Sequence, residues 1–161
     1  MDLLQHMLAK EQMDCVLVFS RTKHGADKIS HRLERAGIRS VAIHSNRTQS
    51  QRQRALDGFK AGKFQVMVAT DIAARGIDVE GISHVINFDV PSFAEDYIHR
   101  IGRTGRASAT GDAITFVSRE EEKHYRQIER FIGRKLPMEK CPAFVGARPE
   151  SLQPQQPQQK R

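Results

Sequence analysis

Short apolar runs alternate along this chain with stretches whose apolar residues recur every three or four positions. The runs are Cys15–Phe19, Val41–Ile43, Gln65–Ala69, His84–Phe88 and Ala113–Val117. Each has the length of a strand, and an unbroken run such as Val16 to Phe19 suits a strand covered on both faces. Between them, Ala26, Ile29, Leu33 and Ala36 fall at helical spacing, with Gly37 as a stop. Thr48 and Gln51 form a capping box ahead of Ala55, Leu56 and Phe59, and Gly62 ends that helix. Ser92 with Glu95, after Pro91, predicts a second such start, and Ser118 with Glu121 a third, ahead of Tyr125, Ile128, Phe131 and Ile132. Alternating strands and helices predict an α/β fold, a doubly wound and mainly parallel sheet flanked by helices. In such sheets ligands sit beyond the carboxyl ends of the strands.

Composition changes the picture at one end. Five of the six prolines are Pro137, Pro142, Pro149, Pro154 and Pro157, and residues 153–161 are almost all Gln, Pro, Lys and Arg. The chain therefore divides into a folded domain, 1–136, and a Pro/Gln-rich basic tail, 137–161, expected to be disordered because it lacks apolar surface to bury. From Gly133 onward six basic and two acidic residues leave a net +4. Two readings of the tail stand: a basic arm with sequence-blind affinity for nucleic acid, or a solvated end. The whole chain of 161 residues carries a formal net charge of +7, which favours a polyanionic partner. No apolar run approaches the roughly 20 residues that span a bilayer, so no membrane partner is expected. Two cysteines, Cys15 and Cys141, make no disulfide framework, and the expected setting is reducing and cytoplasmic. No histidine stands at metal-ligand spacing from Cys, Asp or Glu, so no protein-bound metal is expected.

The richest chemistry lies in Tyr97–Arg106, where Arg100, Arg103 and Arg106 are three residues apart and Gly102 and Gly105 precede the last two. Each glycine costs a helix about 1 kcal/mol against alanine, so from Gly102 on the segment reads as a loop that aims guanidinium groups. Guanidiniums grip phosphate oxygens in a planar, two-pronged way. Such a loop points to polyphosphate chemistry, with the arginines meeting charge that builds up during transfer.

Five segments in order carry a resemblance: Val18-Phe-Ser-Arg-Thr22, Gln49-Ser-Gln-Arg52, Ala69-Thr-Asp-Ile-Ala-Ala-Arg-Gly-Ile-Asp78, Val85-Ile-Asn-Phe-Asp-Val-Pro91 and His99-Arg-Ile-Gly-Arg-Thr-Gly-Arg106. They resemble motif IV, the Q-x-x-R element, motif V, the segment after it and motif VI of the C-terminal RecA-like domain of DEAD-box ATP-dependent RNA helicases. The resemblance covers residues 1–132 and implies a RecA-like three-layer fold. One departure is His44-Ser45 where the family has His-Gly; serine tolerates positive φ less well, so that loop is expected to take a slightly different path. No G-x-x-x-x-G-K-[ST] phosphate cradle and no Asp-Glu-Ala-Asp run occur in the 161 residues. The resemblance implies that these lie on an N-terminal RecA-like domain of the same protein, and that this chain alone hydrolyses no ATP.

The roles implied by the resemblance are specific. Arg103 and Arg106 would be arginine fingers, Gly76 and Asp78 would meet ATP at its ribose, and His99 would couple to the missing domain. Arg100 is either a coupling residue or the partner of Asp78 or another group in the same run. Thr22, Gly25, Gln49, Arg52 and Thr70 would hold RNA by its backbone, without sequence preference. Mg²⁺ would arrive with ATP and be held mainly by the absent half. A rival of another class remains, a nucleic-acid-binding or regulatory module that uses this fold without catalysis. Self-association through the segment after Pro137 is also open.

Overall fold

The computed structural model describes residues 1–105 and 110–142. Five parallel strands, β1 (Val16–Phe19), β2 (Ser40–Ile43), β3 (Val66–Ala69), β4 (His84–Asn87) and β5 (Asp112–Thr115), form one sheet in the order β2-β3-β1-β4-β5. All five apolar runs became strands; the inner ones place alternate side chains into two cores at once, while the edge strand β5 packs only Ile114 on one of them. On β1, Val16 and Val18 enter one core while Leu17 and Phe19 enter the other, and β3 does the same with Val66 and Val68 against Met67 and Ala69.

Helices cover both faces. α1 (Asp2–Lys10) and α2 (Lys23–Arg35) close the first core with Leu4, Leu8, Ala26, Ile29 and Leu33. α3 (Gln49–Lys60), the single-turn α4 (Asp71–Ala74) and the following loop close the second with Phe59, Ala73, Ala74, Ile77, Val79 and Ile82. α5 (Ala94–Ile101) and α6 (Glu122–Ile132) pack on each other through Tyr97, Tyr125 and Ile128, with Val90 beneath.

Four local outcomes differ from or refine the sequence reading. α1 was not expected, yet Leu4 and Leu8 stand four apart and are both buried, with Asp2 in its first turn and Lys10 in its last. The Thr48–Gln51 capping box is made at both ends, with Gln51 N–H to Thr48 Oγ1 at 3.1 Å and Thr48 N–H to Gln51 Oε1 at 2.9 Å. Ser92 caps nothing: α5 begins at Ala94, after Phe93, and no side chain caps it. The first-turn carboxylates of Glu95 and Asp96 face the positive end of the helix dipole instead. At Ser118 the Glu121 carboxylate accepts from the serine N–H and hydroxyl, but the turn it starts is a short 3₁₀ segment, Arg119–Glu121, that leads into α6. The tail from residue 143 on lies outside the described residues.

Candidate functional site

β1 leads to β2 on one side of the sheet and β4 to β5 on the other, so the loops leaving the adjacent parallel strands β1 and β4 run in opposite directions. Beyond the carboxyl ends of strands at such a point, the diverging loops leave a crevice. Arg100 of α5 fills its base. Its Nε and Nη2 donate to the two carboxylate oxygens of Asp71 at 2.6 and 2.7 Å, and its Nη1 donates to Asn87 Oδ1 at 3.2 Å and to the Asp89 carbonyl at 2.7 Å. The guanidinium carbon lies 5.0 Å from the Phe19 ring centroid. The Arg100 side chain is 2% exposed, so one residue bolts the ends of β1, β3 and β4 together. Its partner is Asp71, not Asp78, which bears out the reading that another group of the Ala69–Asp78 run pairs with it.

Above this bolt the helix ends at Ile101, and Gly102 and Arg103 turn back with N–H bonds to Ile98 and Arg100 carbonyls of 3.0 and 3.1 Å. Arg103 swings into a hollow of about 250 Å³ whose walls include Asp71, Ala74, Gly76, Asp96, His99 and Arg100. Its Nη1 donates to the Ile77 carbonyl at 3.0 Å. A guanidinium has five donors, so this bond fixes its direction and leaves capacity for a ligand. Gly76 holds φ +76° at the rim, a conformation that favours glycine. Asp78 is exposed, one residue beyond the carbonyl that anchors Arg103. The His99 side chain is 74% exposed on the same side, with Nδ1 4.0 Å from the Asp96 carboxylate. Arg106 lies outside the described residues, so the geometry speaks for Arg103 alone.

The remaining candidates sit on a different stretch of the same rim. β2, β3 and β1 are adjacent, and each leads into a helix N-terminus: α3, α4 and α2. Thr48 is the cap of α3, with Gln49 exposed in its first turn, and Arg52 reaches toward α4 with Nη2 3.4 Å from the Ala73 carbonyl. Thr70 is the cap position of α4 and makes no capping bond with its side chain. Thr22 caps α2 by accepting from Gly25 N–H at 3.0 Å. A Cβ on Gly25 would lie 2.4 Å from Ser20 Oγ and 3.0 Å from Thr22 Oγ1, so Gly25 lets α2 sit close on the end of β1. Three helix N-termini in a row present partial positive charge to an extended anion.

The loop before α3 is pinned by a buried histidine. Nδ1 of His44 accepts from Asn46 N–H at 3.2 Å, so Nε2 carries the proton toward Asp27 Oδ1 at 2.9 Å, and Arg47 donates to the same oxygen at 2.8 Å. Burial alone raises the Asp27 pKa, but the hydrogen bonds from His44 and Arg47 and the charge of Arg47 outweigh it and hold the carboxyl below its ordinary value. At Ser45 the turn closes with Arg47 N–H on the His44 carbonyl at 3.0 Å.

Residues 1–108 match the family described as the helicase conserved C-terminal domain. The chain belongs to the DEAD-box RNA helicases, as their C-terminal RecA-like domain. It is 44% identical over 143 residues to the DEAD-box ATP-dependent RNA helicase CshA of Bacillus licheniformis, covering 89% of this chain and 29% of that protein. It is 50% identical over 119 residues to the ATP-dependent RNA helicase DBP2 of Chaetomium globosum, covering 74% of this chain and 21% of that one. The chain thus spans less than a third of the length of these curated relatives. Among solved structures, the E. coli DEAD-box protein SrmB, bound to regulator of ribonuclease activity A, superposes with a TM-score of 0.79 at 36% identity, over 83% of this chain and 78% of that one. S. cerevisiae Dbp5 bound to RNA and ADP BeF3 superposes with a TM-score of 0.76 at 31% identity, over 84% of this chain and 36% of that one.

Within this DEAD-box domain, two groups that position the arginine loop escaped the sequence reading, and a third, Asp71, was anticipated only as an unnamed member of the Ala69–Asp78 run. Thr104 Oγ1 donates to the Ile82 carbonyl at 2.7 Å and ties the loop to the approach of β4. Gly111 leaves room for that hydroxyl: a Cβ there would lie 1.7 Å from Thr104 Oγ1 and 2.8 Å from Gly105 N. Among the described residues no three His, Cys, Asp or Glu side chains converge as metal ligands, and no helix is long and apolar enough to cross a membrane.

Proposed function

We propose that this chain is the second RecA-like half of an ATP-dependent RNA helicase acting in the cytoplasm. Arg103, with Arg106, serves as an arginine finger for ATP seated mainly on the N-terminal RecA-like domain of the same protein. Gly76 and Asp78 meet the ribose, and His99 contacts the facing domain. Thr22, Gly25, Gln49, Arg52 and Thr70 hold the RNA backbone along the three helix N-termini. With no converging carboxylates among its described residues, the chain offers Mg²⁺ no cage of its own, so the ion belongs with the phosphates and the other domain. Closure of the two domains on ATP and RNA bends one strand and opens a short duplex; hydrolysis resets the open form.

The observation that supports this reading best is the direction of Arg103. Its guanidinium lines an open hollow at the carboxyl rim of the sheet, and its bond to the Ile77 carbonyl aims it there. In a water-excluded site, one such guanidinium accounts for about 10³–10⁵ in rate. In the full-length protein, Arg103→Ala is expected to lower RNA-stimulated ATP hydrolysis by about that factor, with RNA affinity much less affected. Intact hydrolysis in that variant overturns the finger and favours the non-catalytic module. The chain by itself is expected to release no phosphate from ATP, whatever RNA is added.

A further inference from the structure

β2 is an edge strand, and its outer side separates two hollows of opposite character. On the α2 side the walls carry the carboxylates of Asp27 and Glu34. On the α3 side a hollow of about 240 Å³ is lined by Arg47, Arg54 and Lys63 with Gln51, and contains no carboxylate. Its floor is apolar, built from Val41, Ala55 and Phe64. The Phe64 ring comes close to α3 because position 58 is glycine, where a Cβ would stand 2.6 Å from its edge. Lys63 Nζ sits 5.4 Å from the centroid of that ring, and Arg54 and Lys63 are both exposed. Arg47 is half-spent on Asp27, which leaves Arg54 and Lys63 as the cations without an acid in the lining.

The hollow is continuous with the N-terminus of α3. Gln51 belongs both to the capping box and to the hollow's wall, and Arg54 stands one turn further along. From Gln51 to Gly58 the helix rises about 10 Å, and Arg54 and Lys63 offer contacts for two backbone phosphates alongside it. We propose that the hollow between α3 and the outer edge of β2 is an accessory site for single-stranded RNA, with backbone phosphates on Arg54 and Lys63 and a base on the Phe64–Ala55–Val41 floor. The site rests on the RNA-facing reading of the α3 N-terminus and lengthens that path. The apolar floor with cations at its rim matches the way single strands are held, by stacking and by charge together.

The test is a titration of the whole chain at low salt with oligouridylates of about 6 and about 12 nucleotides, lengths within the range of single-strand sites. The wild-type chain is expected to bind the longer oligomer several-fold more tightly. Arg54→Glu/Lys63→Glu is expected to remove that gain, leave the shorter oligomer's affinity unchanged, and reduce the slope of log affinity against log salt by about 1.4, the value for two phosphate contacts on a single strand. Arg54→Lys/Lys63→Arg, which keeps both charges, retains the gain, and an unchanged circular dichroism melt shows that the fold is kept. A reversed-charge variant that binds both oligomers like the wild type overturns the accessory site alone. Loss of binding to an oligoglutamate peptide, with RNA binding intact, overturns it in favour of an acidic protein partner. A wild-type chain that binds neither oligomer overturns the accessory site and the α3 reading together.

Discussion

Arg100 carries more of the architecture than any other polar residue in the chain. It satisfies both oxygens of Asp71, the Asn87 side chain and the Asp89 carbonyl from inside the protein. Removing one member of a buried pair leaves the other charge without compensation, at about 3–5 kcal/mol. Asp71 keeps 31% of its side chain exposed, so Arg100→Ala is expected near the lower limit, about 3 kcal/mol in urea unfolding. Asp27 gives the sign of a pH effect. Its folded pKa lies below the ordinary 3.8, so its contribution is fully present above that value and fades as the pH falls through the lower, folded pKa. Thermal melts below pH 4 are expected to show a shallower loss of stability for Asp27→Asn than for the wild type. The role of Arg103 as a loop arginine was legible in the sequence, because two glycines forbid a helix there. The pairing of Arg100 was legible only as far as the run that holds its partner: spacing along the chain does not say which of its acids, Asp71 or Asp78, folds onto the arginine.

At the scale of elements, the strands were easier to read than the helix starts. A strand buried on both faces must be apolar throughout, so five runs announced five strands. A capping pattern is weaker evidence, because Ser92 and Glu95 satisfy the pattern while the backbone before α5 remains extended through Phe93. α1 was passed over because its apolar pair is short and sits among polar residues. The arginine loop and the strand after it act as one element through Thr104 and Gly111, a contact made by residues that only the parallel return of β5 brings together. Gly111→Ala puts a methyl group into the Thr104 hydroxyl and the Gly105 backbone. It is expected to cost about 1–3 kcal/mol in stability. In the full-length protein, displacement of the loop by an ångström is expected to slow ATP hydrolysis by on the order of a hundredfold. A variant that melts lower but hydrolyses normally would show that Gly111 serves packing alone.

At the scale of the whole molecule, both proposed surfaces lie on one rim of one sheet. The nucleotide side is built at β1 and β4, and the RNA side at β2, β3 and β1. β1 is shared, and Phe19 at its end lies under the Arg100 guanidinium while Thr22, three residues on, caps α2. Doubly wound order explains why the sequence could point to this rim: three of the five motifs hold the end of a strand, Gln49–Arg52 follows β2, and parallel strands all end on the same side, while Arg100 and Arg103 return to it from α5 and its end. Sequence alone could not say that motifs far apart in the chain would share a strand as neighbours. Because the sheet beneath is packed on both faces and bolted at its switch point, force applied at either ligand has no soft layer to deform. Under the proposed function, this stiff body would work on a bound strand by rotating as a whole against the other RecA-like half.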